Sequence, residues 1–255
     1  MVIKLFHNTL NRFFRQHQSD FNVAQTEKIL DYRFKNKNLL LKAFKHRSYL
    51  SVTGEAAHES NERLEFLGDA VLDLIVTDFL YKKKPYKSEG ELTKLKSVLV
   101  SRNVLAEIIS QLQLGKYLLL NRGEEKTGGK ERNSNLSNLY ESLVGAIYLD
   151  GGFVKAQRFI YRSLLLQYKR FIDNQNYLNY KSILLEYTQG QGLGVPIYRL
   201  IQENGPDHDK LFVMNVSVNG NGQAQGQGKS KKLAEQESAC NLLKKIAPQL
   251  IKKDI

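Results

Sequence analysis

Residues 61–72 read NERLEFLGDAVL, a stretch that sets Glu62, Glu65 and Asp69 among leucines that otherwise describe a core helix. Each residue of an α-helix advances about 100°. With Leu64 at zero, Leu67, Val71, Leu74 and Ile75 cluster within about 80° and make a buried stripe. Glu62, Glu65, Asp69 and Asp73 fall at about 100° to 180°, collected along one edge. Like charges so close repel, so an isolated helix gains nothing from them. A solvated face is one account of that edge. A divalent cation is the other, because hard ions such as Mg²⁺ take oxygen ligands. Phe66 falls at about 200°, opposite the stripe, where a monomer exposes it; a single exposed aromatic is more often than not harmless, and one that adjoins the acidic edge also fits a contact with a second subunit. Gly68 costs a helix about 1 kcal/mol against alanine, and close approach of another backbone would explain it.

A second acidic position lies in NLYESLVGAIYLD (138–150). Asn138 and Glu141 are spaced i, i+3 and point the same way, while Leu143, Val144, Ile147 and Tyr148 supply a buried side. Either helix taken alone also fits a solvated or capping role for its acids.

From about Thr26 to Arg170 the apolar spacing is helical almost throughout, as in KSVLVSRNVLAEIISQLQL (96–114). The polar, glycine-containing segment 124–135 reads as a loop, and 171–180 as a linker without an apolar stripe. Beyond it, SILLEYTQ (182–189) is a short helix. Two strand-like runs follow, IYRLIQENG and KLFVMNVSVNG; in the second, Phe212, Met214, Val216 and Val218 alternate with Leu211, Val213, Asn215 and Ser217. QAQGQGKS supplies a third strand and a turn. LAEQESACNLLKKI returns to helical spacing, with Leu233, Ala234, Cys240, Leu243 and Ile246 on or near one face. The order α-β-β-β-α describes a second, small α+β domain after a mainly α one.

The 255 residues suffice for two domains of ordinary size. No stretch approaches the roughly 18 apolar residues of a membrane span. A net charge of +12 favours a polyanionic partner, nucleic acid before an anionic membrane, with plain solubility as the competing account. The single cysteine, Cys240, excludes an intrachain disulfide framework and a cysteine-rich zinc site, and fits a reducing, cytoplasmic compartment. The N-terminal residues 1–23 are basic and lack the apolar core of a secretory signal; they read as an extension, faintly like an organelle-targeting peptide.

NERLEFLGDAVL resembles the signature of ribonuclease III, the family of double-stranded-RNA endonucleases. LKAFKHRSY (41–49) resembles the segment that precedes it there, and residues 90–108, 118–136 and 140–152 follow in the family's order. SILLEYTQ, GPDHDK and GQGKSKKLAEQESA are similar to the first helix, the β1–β2 loop and the second-helix entry of a double-stranded-RNA-binding domain. The resemblance runs from about residue 24 to 247. It implies a ribonuclease III catalytic domain over 24–170, a linker over 171–180, a binding domain over 181–248 and a tail over 249–255.

It further implies Mg²⁺-dependent hydrolysis of RNA phosphodiesters, with Mn²⁺ as a substitute and no small-molecule cofactor. The products expected are 5′-phosphate and 3′-hydroxyl ends with a short 3′ overhang, made by a homodimer that processes ribosomal and other RNA. By position, Glu65, Asp69, Asn138 and Glu141 match the metal site, with Asp69 and Glu141 as its catalytic acids. Glu62 and Glu89 match supporting acids nearer the subunit boundary, and Phe66 the knob that enters the partner subunit. Glu186, Gln189, His208, Lys229, Lys231 and Lys232 match RNA contacts. Asn138 departs from the family, which has Asp there; it keeps a carbonyl ligand and removes one negative charge. The competing reading is a non-catalytic double-stranded-RNA-binding relative of the same fold, which should have lost more ligands than one. An unrelated helical DNA-binding regulator is the other rival, to be told apart by a 2′-hydroxyl-dependent preference.

Overall fold

The computed structural model describes residues 21–174, 177–206, 210–219 and 222–251. Most of the basic N-terminal extension and His208 therefore lie outside the described residues. The chain divides into two compact units at residues 171 and 172.

The first unit is helical. Its elements are α1 (Val23–Leu30), α2 (Lys37–Ala43), α3 (Leu50–Thr53), α4 (Glu62–Lys83), α5 (Glu89–Leu99), α6 (Arg102–Gln111), α7 (Arg122–Lys126), α8 (Asn133–Gly151), α9 (Phe153–Ser163) and α10 (Tyr168–Ile172). Small polar residues start many of them. Asn22 accepts from the Gln25 N–H at 2.9 Å, and Ser88 and Glu91 form a reciprocal capping box at the head of α5. The central helix is α8, where Leu139, Tyr140, Leu143, Val144, Ala146 and Ile147 are all fully buried. It is packed by α2, α4, α6 and α9.

Two readings of this unit need correction. Segment 124–135 is not all loop: Asn121 caps α7 by accepting from the Glu124 N–H at 2.8 Å, and α8 already starts at Asn133. A five-residue helix carries too little apolar periodicity to be seen, and polar residues at its start are what capping requires. Leu74 is the second correction, being 57% exposed rather than part of the buried stripe. The buried residues of α4 are Leu64, Gly68, Val71, Leu72, Ile75, Val76 and Leu80, a stripe turned away from Leu74. Where α8 lies decides that rotation, and α8 is distant in sequence. Phe66, by contrast, stands 83% exposed, on the side where the helical spacing puts it.

The second unit has α11 (Tyr180–Gly190), β1 (Ile197–Asn204), β2 (Leu211–Val218), β3 (Gly222–Gly228) and α12 (Lys231–Ile246). The expected linker thus gives residues 171–172 to α10 and Tyr180 to α11. The three strands form one antiparallel sheet in the order β1-β2-β3, with Val216 opposite both Tyr198 and Ala224. Leu184, Val216, Val218, Ala224, Cys240, Leu242 and Leu243 share its core, so Cys240 is a packing residue. Leu233, expected on the buried face of α12, is 56% exposed; the buried stripe follows Ala234, Ser238 and Leu242 with Ala239 and Leu243. Among the described residues no helix is long and apolar enough to cross a membrane.

Candidate active site

Helix α4 brings Glu65 and Asp69 to a seam with α8, which brings Asn138 and Glu141. Glycine permits the closeness of that seam. A Cβ placed on Gly68 would stand 1.8 Å from the Glu141 carbonyl oxygen, and one on Gly145 would stand 2.2 Å from the Leu64 carbonyl oxygen. Neither position tolerates a side chain without moving backbone, so the two helices touch main chain to main chain.

The carboxylates there raise one another's proton affinity. Glu141 is pushed up to about 8 by burial and by the neighbouring charges of Asp69 and Glu65, against a weaker pull from Arg102. Burial and the adjoining Glu62 raise Glu65, while a side-chain hydrogen bond with Asn138 lowers it. Asp69 is raised by burial and by Asp73, and Lys96 opposes the shift. Lys96 itself is held by Asp73, Nζ to Oδ2 at 2.8 Å. The net result is three acids raised together, with the opposing groups only partly relieving them.

This donor set is all oxygen, three carboxylates and one amide carbonyl, which is the set hard cations prefer. Among the described residues no three acidic, histidine or cysteine side chains already converge as a metal cage. The acids nonetheless lie near enough along the α4–α8 seam for Asp69 and Glu65 to act on the charge of Glu141. The fit to a divalent cation rests on donor chemistry and on charge that Arg102 and Lys96 only partly offset.

The remaining expected residues fall elsewhere. Glu62 lies one turn up α4, with its carboxylate 3.3 Å from the Ser60 hydroxyl and 3.8 Å from Arg47. Glu89 is at the exposed start of α5, where it accepts from the Thr93 hydroxyl at 3.1 Å, and it is not among the charges acting on the three acids. In the second unit Glu186 and Gln189 are exposed on α11, and Lys229, Lys231 and Lys232 are exposed around the start of α12. Ser230 caps that helix by accepting from the Leu233 N–H at 3.3 Å. Sequence reasoning missed Arg102 and Lys96, the cations that temper the acids. A basic residue on a neighbouring helix carries no periodic mark, so nothing local could have flagged either.

A model described as ribonuclease-III-like matches residues 36–168, and one for the double-stranded RNA binding motif matches residues 180–246. The chain belongs to the ribonuclease III family. Ribonuclease 3 of Fusobacterium nucleatum is 43% identical over 222 residues, covering 86% of this chain and 93% of that one. Ribonuclease 3 of Geobacillus sp. (strain WCH70) is 42% identical over 225 residues, covering 87% and 90%. Among solved structures, the nuclease domain of ribonuclease III from Campylobacter jejuni aligns with a TM-score of 0.53 at 40% identity, over 60% of this chain and all of that one. As a ribonuclease III with both of the family's domains, the chain is an endoribonuclease of double-stranded RNA.

Proposed function

We propose that this ribonuclease III cleaves its duplex by Mg²⁺-dependent phosphodiester hydrolysis, leaving 5′-phosphate and 3′-hydroxyl ends with a short 3′ overhang. The observation that carries the reading is the Glu141 carboxyl, raised to about 8 between Asp69 and Glu65. Arg102 offsets only part of that pressure, so the group is poised for a cation of higher charge. Glu65, Asp69 and Glu141 would hold the ion, with the Asn138 carbonyl oxygen as a neutral fourth ligand, and Mn²⁺ would substitute. When bound, Mg²⁺ supplies a lowered water pKa and stabilises charge on the phosphate and the leaving 3′ oxygen. No side chain has to act as nucleophile, and the buried Cys240 is unsuited to it.

The working unit is a homodimer, with Phe66 seated in the partner and Glu62 and Glu89 as supporting acids towards the boundary. An 83% exposed phenylalanine beside the acidic edge supports this. So does the Campylobacter jejuni relative, which is described as having a region involved in dimer formation. The catalytic domain spans 24–170 and the binding domain 181–248, joined by 171–180. In the binding domain Glu186, Gln189, His208, Lys229, Lys231 and Lys232 contact the duplex. A-form RNA shows its 2′-hydroxyls in a shallow minor groove, so the reading is of shape. The enzyme works in the cytoplasm on ribosomal RNA precursors and other structured RNA.

The test is a long perfect RNA duplex incubated with the full chain, with Mg²⁺ or chelator, beside Glu141→Ala. Mg²⁺-dependent short duplexes that the variant does not make are expected. Tight binding without cleavage, in Mn²⁺ as well, would put the non-catalytic relative in its place.

A further inference from the structure

Two helices of the second unit carry the proposed RNA contacts, and their ends are tied together by side chains that assignment leaves unused. The first four N–H groups of a helix have no partner inside it. At the head of α11, Asn179 accepts from the Ser182 N–H at 3.3 Å, an ordinary cap. The Lys181 N–H is met instead from α12, by the Gln236 Oε1 at 3.2 Å. The Gln236 amide then donates back to Asn179 Oδ1 at 2.8 Å. One side chain of α12 thus completes the N-terminal cap of α11 with two bonds.

A second tie lies alongside it. Lys181 Nζ stands 2.5 Å from Glu235 Oε2 and 4.6 Å from the centre of the Tyr198 ring on β1. Tyr198 is raised to about 12 by burial and by Glu235. Its hydroxyl is buried without a hydrogen-bond partner among the described residues, so the ring is held by its packing. These residues line a cavity of about 580 Å³ between α11, β1 and the first turns of α12. The helices also meet directly in the core through Leu184 and Leu243, but apolar contacts are not directional, whereas these hydrogen bonds are.

We infer that Gln236 is a positioning residue: it sets the register of α11 against α12, and so the spacing between Glu186 and Gln189 on one helix and Lys231 and Lys232 on the other. The inference rests on the reading that these two sets contact the duplex. A-form RNA presents grooves and phosphates at fixed intervals, so a slipped register costs one set its contacts while the fold survives.

The test measures duplex affinity of the full chain, in chelator, over a range of salt concentrations. Gln236→Met keeps the volume and removes both bonds. It should weaken binding about fivefold, the worth of one lost contact to the duplex, and make the slope of log K against log salt shallower by about one phosphate contact. Asn179→Asp keeps an acceptor for both the Ser182 N–H and the Gln236 amide and should bind as the parent does. Lys232→Ala, which removes a phosphate contact directly, is the reference. If Gln236→Met keeps the parent slope and affinity while Lys232→Ala weakens binding, the positioning role is wrong and the RNA face stands. A lowered thermal midpoint with an unchanged slope overturns the inference too, since that is a purely structural effect. An unchanged Lys232→Ala would overturn the contact assignment itself, and the inference with it.

Discussion

Gly68 of α4 presses against the carbonyl of Glu141 in α8, so closely that a Cβ would come within 1.8 Å of that oxygen. The same contact that packs the two longest helices also sets the acids of one beside the acid of the other. Gly68→Ala is therefore expected to destabilise the first unit by about 3 kcal/mol or more, because backbone must move to admit the methyl group. Thermal or urea unfolding measures it. A loss below what helix propensity alone would return in the variant's favour would show that the seam is softer than its geometry.

Stability should fall with rising pH in the metal-free protein. An acid whose folded-state value is raised keeps its proton when the unfolded chain has released it, so the unfolded state binds fewer protons and gains as pH rises. For Glu141 that window runs from its ordinary value of 4.5 to about 8. Thermal midpoints taken in chelator across this range should decline, and Glu141→Gln should flatten the decline. Added Mg²⁺ should restore stability at the upper end, since it binds the ionised site. A Gln variant with the parent's slope would remove Glu141 from the explanation.

Asn138→Asp separates the metal-bound from the metal-free effect. The carboxylate adds charge to the ion's site, so less Mg²⁺ should be needed for half-maximal cleavage. Without metal it replaces the hydrogen bond that lowers Glu65 with a fourth repelling acid, so the midpoint in chelator should drop. The two shifts run in opposite directions, and titration of cleavage and of stability with Mg²⁺ reads both. An unchanged Mg²⁺ requirement would mean that the amide oxygen serves as well as a carboxylate.

Phe66→Ala should weaken self-association about tenfold or more, the range for a buried aromatic anchor at an interface. Its 83% exposure means that the monomer itself should lose little stability. Sedimentation equilibrium against protein concentration gives the first quantity and unfolding of the dissociated variant the second. Parent-like association would move the subunit contact to another face.

The element order was legible because it is written in local periodicity. Strand β2 announced itself by alternation, and Met214, Val216 and Val218 do face the core. The acidic edge of α4 was legible for the same reason, since 100° per residue sorts side chains onto faces without a partner being known. Helix α7 was not, because four charged residues and a glycine have no apolar period to detect.

What the sequence determined by itself is therefore most of the element order, the edge on which the acids lie and the exposure of Phe66, all properties of one helix or strand at a time. Which neighbour each face meets belongs to tertiary structure alone. Leu72 and Val76 are buried and Leu74 is not, because α8 approaches from their side. Glu141 rises to about 8 only because Gly68 and Gly145 let that approach close to backbone contact, which buries the carboxyl and brings Asp69 and Glu65 beside it. Burial and charge proximity are pairwise quantities between residues about seventy positions apart, and no local pattern encodes them.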